Sequence, residues 1–490
     1  MALIRSIKQK NIVLGYIGLF GIIVSLILLL PFVSLFFYPS DYTQWHYFVI
    51  PSGMCFIIGS AMVKVFGIDE HQNLTIAEDS VIVVSVWVLA TFFSALPFVL
   101  SGQMNFTQAY FEAVSGWTTT GLSVADVEHC PKIFLMHRSV MQFFGGVGLV
   151  LVMVSALSAS LGLKLYSSEG HPDRLLPNLL RSSRMIMSIY SGYVIMGSVL
   201  YRVFGMTWFE AINHSIAALS TGGFGTRAAN IGAFKSYPIE VISIILMLLG
   251  TTNFAAHLLL VKRKFRDFFK VGEVRFMFLL LGLSIPLVAF FSLYPLYGNL
   301  SKSLRVASFE LVSALTTTGF STVSYLNWNG FAILVMILLM IVGGGAGSTA
   351  GGVKLYRVYV MFKNFWWNLK RQFLPEHMVI QNAIIKPEGK TIIKQNDILD
   401  MKNYAFIYMI LLFLGTGILT LNGYPLDKSL FEFASALGTV GVSIGVTAPD
   451  APKIVLWAES IGMLFGRLEI FVFFTVFLKF FKRLSSIKKH

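Results

Sequence analysis

The chain has 490 residues, of which 56% are hydrophobic and only 13% charged, with a mean hydropathy of +0.73. A soluble globular protein of this length carries about twice that share of charge, so that class is excluded. The net charge is +14, but the basic residues gather in blocks beside apolar runs and read as membrane-topology signals rather than a nucleic-acid surface.

Taken in chain order, apolar windows fall at about 13–37, 45–66, 81–101, 133–163, 186–204, 239–261, 276–297, 330–346, 404–422 and 454–478. Each is close to or above the roughly 18–20 residues that cross a bilayer. The fold class expected is therefore an all-α polytopic membrane protein with about ten spans. The first run follows Arg5, Lys8 and Lys10. It is longer than a signal-peptide core and no A-x-A-like site follows it, so it reads as a retained span. The remaining basic blocks lie at Lys164–Arg184, Lys262–Arg275, Lys354–Arg371 and Lys479–Lys489, whereas the connections 38–46 and 102–110 carry none. Both termini are thereby expected in the cytoplasm, which requires an even number of crossings. Cys55 and Cys130 form no metal-ligand or disulfide pattern.

Four stretches repeat in register: FEAVSGWTTTGLS (111–123), NHSIAALSTGGFGT (213–226), FELVSALTTTGFST (309–322) and FEFASALGTVGVSIG (431–445). Aligned on one glycine they superpose Gly121, Gly223, Gly319 and Gly441, at separations of 102, 96 and 122 residues. Ser115, Ser313 and Ser435 stand six positions before that glycine in three copies. The same three carry Phe-Glu ten and nine positions before it, and the second copy has His214 at the Glu position. Each copy lies between two long apolar windows, and the run ahead of the glycine is too short to cross. The unit is span, short helix, Gly/Thr turn, span. Thr and Gly also mark close helix packing in membranes, but four registered copies exceed what packing asks for. The chain divides accordingly into an N-terminal pair of spans (1–72) and four pore units at 73–175, 176–272, 273–400 and 401–490.

Non-helical backbone at membrane depth is tolerated only where protein surrounds it or it lines a watery path. Four such turns meeting on an axis aim carbonyl oxygens inward, with glycine supplying the dihedrals. Rings of carbonyls replace the hydration shell of a monovalent cation. The filter residues expected are Thr119, Thr120 and Gly121; Thr221, Gly222 and Gly223; Thr317, Thr318 and Gly319; and Thr439, Val440 and Gly441. The short helices point their partly negative C-termini at this filter. Glu112, Glu310 and Glu432 are expected near the opposite, N-terminal ends, as caps or as cation attractors at the outer mouth.

These units resemble the superfamily of K⁺ transporters that includes the Trk, Ktr and plant HKT proteins, from about residue 75 onward. The extra N-terminal pair is similar to the TrkH/TrkG branch. Further matches are HRSVMQFFGGVGL (137–149), LYSSEG (165–170), GTTNF (250–254) with His257, and GRLEI (466–470). The resemblance implies K⁺ uptake across a bacterial cytoplasmic membrane, with K⁺ held by the filter carbonyls and a glycine in each repeat required for K⁺ selectivity. All four positions are glycine here. The fourth filter, GTVGVSIG, and Arg227 just after the second filter depart from the commonest pattern. The resemblance also implies a homodimer with one pore per chain and a TrkA-like cytosolic nucleotide-binding partner.

GGGAGSTAGG (343–352) follows an apolar run and contains six glycines. Gly343, Gly344, Gly345, Gly347, Gly351 and Gly352 give low-cost dihedral freedom, and Ser348 and Thr349 satisfy backbone groups or an ion. The competing reading is a small-residue packing surface. The resemblance implies an intramembrane loop under the filter that blocks the pore and moves aside on activation. Arg467 sits within an apolar run, where a charge is costly unless it faces protein or water. The resemblance places it on the conduction path, holding the glycine loop; the alternative is an ion pair with Glu459 or Glu469.

Arg138 reads as a snorkelling interfacial residue, and Asn253 and His257 as interhelical hydrogen-bond partners. A secondary transporter of another solute would favour inverted repeats, whereas these copies share one orientation. A membrane-embedded hydrolase would need paired acids or an H-E-x-x-H motif, which the sequence lacks. It also lacks a phosphate loop, a Rossmann fingerprint and a sizeable soluble domain, and no cofactor of its own is expected. Phe365, Trp366 and Trp367 read as contacts to a partner or as interfacial anchors.

Overall fold

The structure, a computed structural model, describes residues 2–68, 75–148, 179–373, 375 and 381–487. The motif LYSSEG and residues 149–163 of the fourth apolar window lie outside the described residues. Two long helices, α1 (Ala2–Ile27) and α2 (His46–Phe66), pack on each other and on α3 (Ile76–Leu100). From α3 onward one arrangement recurs. A long helix is followed by a short one, a turn and a second apolar helix: α3, α4 (Phe106–Trp117) and α5 (Lys132–Val147); α6 (Leu179–Val203), α7 (Trp208–Leu219) and α8 (Tyr237–Thr251). After α9 (Phe254–Val261) come α10 (Gly272–Val288), α11 (Leu300–Leu315) and α12 (Gly330–Val342). After α13 (Leu355–Gln372) come α14 (Gln395–Leu421), α15 (Leu426–Leu437) and α16 (Lys453–Arg467), with α17 (Ile470–Ile487) last.

Local chemistry sets these starts. Thr75, Asn105 and Thr207 form capping boxes with Glu78, Gln108 and Glu210, and Asn299 and Asn329 cap α11 and α12. Each satisfies N–H groups that have no partner inside the helix. The short helices are buried on nearly every face toward their C-terminal ends, Ala109 to Trp117 without exception in α4. They therefore sit inside a sleeve of longer helices.

Among the described residues six helices are long and apolar enough to cross a membrane, and two more candidates are bent pairs. The windows 239–261 and 454–478, read from sequence as straight spans, are broken. α8 and α9 meet at 116°, and α16 and α17 at 101°. At the first break Thr252 is extended and the Asn253 side chain starts a new helix by accepting from Ala255 N–H at 2.7 Å. At the second, Glu469 takes a left-handed φ of 61°. With Gly148 closing α5 and Gly343 closing α12, the second helix of each unit ends before its apolar window does. A glycine stands at or just before each of these ends, at 148, 250, 343 and 466, but only the run 343–352 reads as a break from the sequence.

One β-hairpin, β1 (Ala383–Lys386) with β2 (Gly389–Ile392), pairs Ala383 with Ile392 and Ile384 with Thr391. It adds a small exception to the all-α expectation. Ile384 and Ile393 pack with Val360 and Ile398. Trp367 turns onto this cluster, while Phe365 and Trp366 stay exposed.

Candidate ion filter and its floor

The four short helices end alike. Their C-caps, Thr118, Ser220, Thr316 and Gly438, have φ between −73° and −75° and ψ between −2° and −6°. The next residues, Thr119, Thr221, Thr317 and Thr439, have φ of 53°, 51°, 54° and 50°. A β-branched residue in the left-handed region is a genuine outlier, and four at equivalent positions mark strain held in place at a working site. The following N–H groups fold back onto the helix. Thr119 N–H donates to Gly116 O at 3.1 Å and Thr120 N–H to Ser115 O at 2.9 Å; the other three units repeat both bonds. This is a Schellman ending. In a trans peptide the carbonyl points opposite to the N–H of its own plane, so Thr118 O and Thr119 O, and their counterparts in the other units, face away from the helix. Among the described residues no hydrogen bond reaches Thr120 O, Thr318 O or Val440 O.

The glycines close the ring. Gly121, Gly223, Gly319 and Gly441 all have positive φ, from 70° to 95°. A Cβ on Gly121 would overlap Gly222 O, one on Gly223 would overlap Thr318 O, one on Gly319 Val440 O, and one on Gly441 Thr120 O. Each loop thus presses its glycine Cα against a carbonyl oxygen of the next loop, in the cyclic order of the chain. The ring forms the foot of a funnel of ≈ 560 Å³ whose wall includes Ser123, Asp126, Arg138, Arg227 and Ser443.

The four repeated turns thus meet in one ring of backbone carbonyls under a funnel, inside a sleeve of apolar helices. The TrkH family model, described as a cation transport protein, matches residues 46–488. The chain belongs to the TrkH family. It is 32% identical to the Trk system potassium uptake protein TrkG of Escherichia coli K12, covering 94% of this chain and 96% of that protein. It is 29% identical to the TrkH protein of Halomonas elongata over 96% and 99% of the two chains. An uncharacterized cation transporter of Methanocaldococcus jannaschii is 29% identical over 95% of each. The crystal structure of the potassium transporter TrkH from Vibrio parahaemolyticus superposes with a TM-score of 0.83 at 26% identity, covering 95% of this chain and 98% of that one.

In this TrkH-family chain the repeat glutamates are not helix caps. The helices begin earlier than the repeats suggest, at Phe106, Leu300 and Leu426, so Glu112, Glu310 and Glu432 lie in their second halves, fully buried. Each clamps the strand that follows its filter glycine. Glu112 accepts from Ser123 Oγ–H at 2.9 Å and Val124 N–H at 3.1 Å. Glu310 accepts from Thr322 N–H at 2.8 Å and from the Tyr325 hydroxyl at 2.5 Å. Glu432 accepts from Ser443 Oγ–H, Ile444 N–H and Thr447 N–H at 2.6, 2.9 and 3.0 Å. In the second unit Arg227 pairs with Glu210 at 2.6 Å and stands 4.7 Å from the centre of the Phe234 ring.

Arg138 does not snorkel. It is 2% exposed and pairs with Glu112 at 2.7 Å, with further bonds to Ser123 Oγ at 3.0 Å and Gly225 O at 3.1 Å. A buried counter-charge removes the reason to reach for water. His257 joins helices as expected, with Nδ1 3.3 Å from the Tyr193 hydroxyl on α6 and Nε2 3.0 Å from Leu249 O. Asn253 caps α9 instead.

The glycine stretch forms the floor beneath the ring. The Thr349 hydroxyl lies 3.0 Å from Leu219 O and 2.9 Å from Gly250 O, and the Thr221 hydroxyl lies 3.2 Å from Thr349 Oγ1. Gly351 N–H donates to Thr317 Oγ1 at 2.8 Å, and a Cβ on Gly351 would overlap Thr439 Oγ1. The segment therefore touches the left-handed threonines of three filter loops. Gly345 N–H donates to Thr251 O, and Phe254 N–H to Gly347 O, both at 3.0 Å, so the break in the second unit also anchors it. Gly343, Gly347 and Gly352 carry positive φ, while Gly344 abuts Thr251. Ser348 and Thr349 are 2% and 0% exposed.

Arg467 donates from Nη1 to Thr349 O and from Nη2 to Gly145 O and Gly146 O, joining the floor to the end of α5. Glu469, one of the ion partners offered from sequence, pairs instead with Arg357 at 2.7 Å, and Glu459 accepts from the Thr447 hydroxyl at 3.1 Å. Sequence reasoning passed over Glu273, which accepts from Ala346 N–H at 3.1 Å, and Arg357. Both are charges at the ends of apolar runs, which look like ordinary interfacial residues until the floor is folded beside them.

Proposed function

We propose that this chain takes up K⁺ across a bacterial cytoplasmic membrane, with both termini in the cytoplasm. The permeation path is the ring formed by Thr119, Thr120, Gly121, Thr221, Gly222, Gly223, Thr317, Thr318, Gly319, Thr439, Val440 and Gly441. The observation that carries the reading is the closed ring, in which every filter glycine abuts the carbonyl oxygen of the next loop. The Trk potassium uptake proteins among its relatives support K⁺ as the ion. The floor, Gly343 to Gly352 with Arg467, is the gate, because it fills the space under three filter threonines and is held by replaceable hydrogen bonds. It lies two residues from α13, through which a TrkA-like nucleotide-binding subunit acts in our reading, on a homodimer with one pore per chain.

The test is cation flux into liposomes holding the purified protein, comparing K⁺, Rb⁺, Na⁺ and Li⁺, with Gly319→Ser as control. Dominant K⁺ and Rb⁺ flux, with discrimination lost in the variant, supports the filter. Equal permeation of Na⁺ in the wild type moves the reading to a Na⁺-permeable transporter. No cation flux with the TrkA-like partner added removes the pore reading.

A further inference from the structure

The second filter loop lacks the internal supports of the other three. Ser115 and Ser435 accept from the filter N–H of Gly121 and Gly441 at 3.0 Å, and Ser313 donates to Phe320 O at 2.7 Å. The second loop has Ala217 at that position. Its counterpart of the clamping glutamates is His214, whose Nδ1 turns back to Glu210 O at 2.9 Å. Ahead of the filter glycine it has Gly222, where the others carry Thr120, Thr318 and Val440.

The missing side chain comes from α5. Gln142 is 0% exposed, and a Cβ built on Gly222 would run into its Cδ, Nε2 and Oε1. Gln142 Nε2–H donates to Gly222 O, and only the amide nitrogen makes a favourable contact with a carbonyl. Gly222 O belongs to the ring, abutting Gly121, and among the described residues it alone of the four ring oxygens accepts a hydrogen bond. Arg138, one turn earlier on α5, donates to Gly225 O on the same loop.

We propose that Gln142 is a selectivity-determining positioning residue: it fills the place of the side chain absent at 222 and fixes the direction of the Gly222 carbonyl. Cation discrimination in a carbonyl ring depends on the number and field strength of its oxygens. A carbonyl already accepting an N–H is less free to follow a smaller ion. Glycine at 222 and glutamine at 142 are therefore one device, split between two repeats.

The selectivity half rests on the K⁺-filter reading; the packing half does not. The experiment uses full-length protein in liposomes and in a thermal unfolding assay. Gln142→Met keeps the volume and removes the donor; its K⁺ over Na⁺ flux ratio is expected to fall about three- to tenfold, the worth of one hydrogen bond. Gly222→Thr alone collides with Gln142 and lowers both flux and the unfolding temperature, whereas Gly222→Thr with Gln142→Ala recovers most of both. An unchanged flux ratio in folded Gln142→Met overturns the proposal. So does a double variant no better than Gly222→Thr, since unfolding then shows no coupling between the two sites. That second readout decides the packing half even if Gln142→Met fails to fold, and the flux ratio of the double variant, which has no donor at 142, then decides the selectivity half. A wild type that passes no cation defeats the K⁺ reading, and the unfolding cycle still tests the Gly222–Gln142 pair.

Discussion

Arg138 and Glu112 form an ion pair at 2.7 Å with side chains 3% and 0% exposed, and the arginine sits in a different helix from the filter it serves. Its guanidinium also stands 3.9 Å from the centre of the Phe224 ring, just past the filter glycine of the second unit. One side chain thereby ties the strands that follow two filters. Breaking such a pair from one side strands a buried charge and costs about 3–5 kcal/mol. Arg138→Met is expected to lower thermal stability by that order, and Arg138→Met with Glu112→Gln by clearly less. Unfolding in detergent, followed by size exclusion after heating, checks this; equal losses in the two variants would count against the pair.

The closed ring predicts that four alanine substitutions behave alike. At Gly121, Gly223, Gly319 or Gly441 a Cβ lands on a ring carbonyl, so each variant is expected to lose K⁺ over Na⁺ discrimination about tenfold, roughly 1.4 kcal/mol of ion preference. Gly102 is the control. It too has positive φ, 73°, but nothing stands within 4 Å of its Cβ position. Gly102→Ala is expected to cost stability of about 1 kcal/mol from backbone strain and leave the flux ratio unchanged.

Thr349 holds the floor through its hydroxyl, and the Arg467 guanidinium holds it by donating to the Thr349 carbonyl. Thr349→Val keeps the shape and removes the one O–H that the Leu219 and Gly250 carbonyls share, a bond worth about 1 kcal/mol net. Basal K⁺ flux in liposomes without any partner is expected to rise about fivefold or more, at an unchanged K⁺ over Na⁺ ratio. Arg467→Gln is expected to act in the same direction. A fall in flux in both would show that these bonds hold the path open rather than shut.

Arg357 and Glu469 link the helix leaving the floor to the break in the last unit. They pair at 2.7 Å with side chains 22% and 14% exposed, and the Arg357 guanidinium lies 4.0 Å from the centre of the Tyr404 ring. A double-alanine cycle is expected to give a coupling of about 1–3 kcal/mol in thermal unfolding. The charge-swapped pair is expected to recover part of the loss, and a cycle that sums without coupling would assign the contact no role in joining the two elements.

Much of this was legible in the residues. Length and hydropathy of the windows announced the spans, since crossing hydrocarbon demands long apolar helices. The registered Gly-Thr turns announced four equivalent loops, because only a special backbone path needs the same glycine four times. The repeat glutamates were visible but misplaced. Their helices start before the repeated stretch, and helix starts depend on N-cap residues such as Asn105, Thr207 and Pro425 that differ from copy to copy. The breaks at Thr252 and Glu469 carry one glycine each, Gly250 and Gly466, and a single glycine in an apolar run also marks close helix packing, so neither read as a break.

By itself the sequence determined the class of the molecule, its four registered Gly/Thr turns and the glycine-rich stretch, because hydropathy, periodicity and glycine's dihedral freedom are properties of short stretches. Which carbonyl faces which glycine, why Arg138 is buried, and why Gln142 stands in for a side chain at Gly222 were decided only by the tertiary structure. Those facts join residues from 26 to more than 80 positions apart. A buried donor finds its acceptor across whatever helices packing brings together, and nothing in the local sequence of either partner records the meeting.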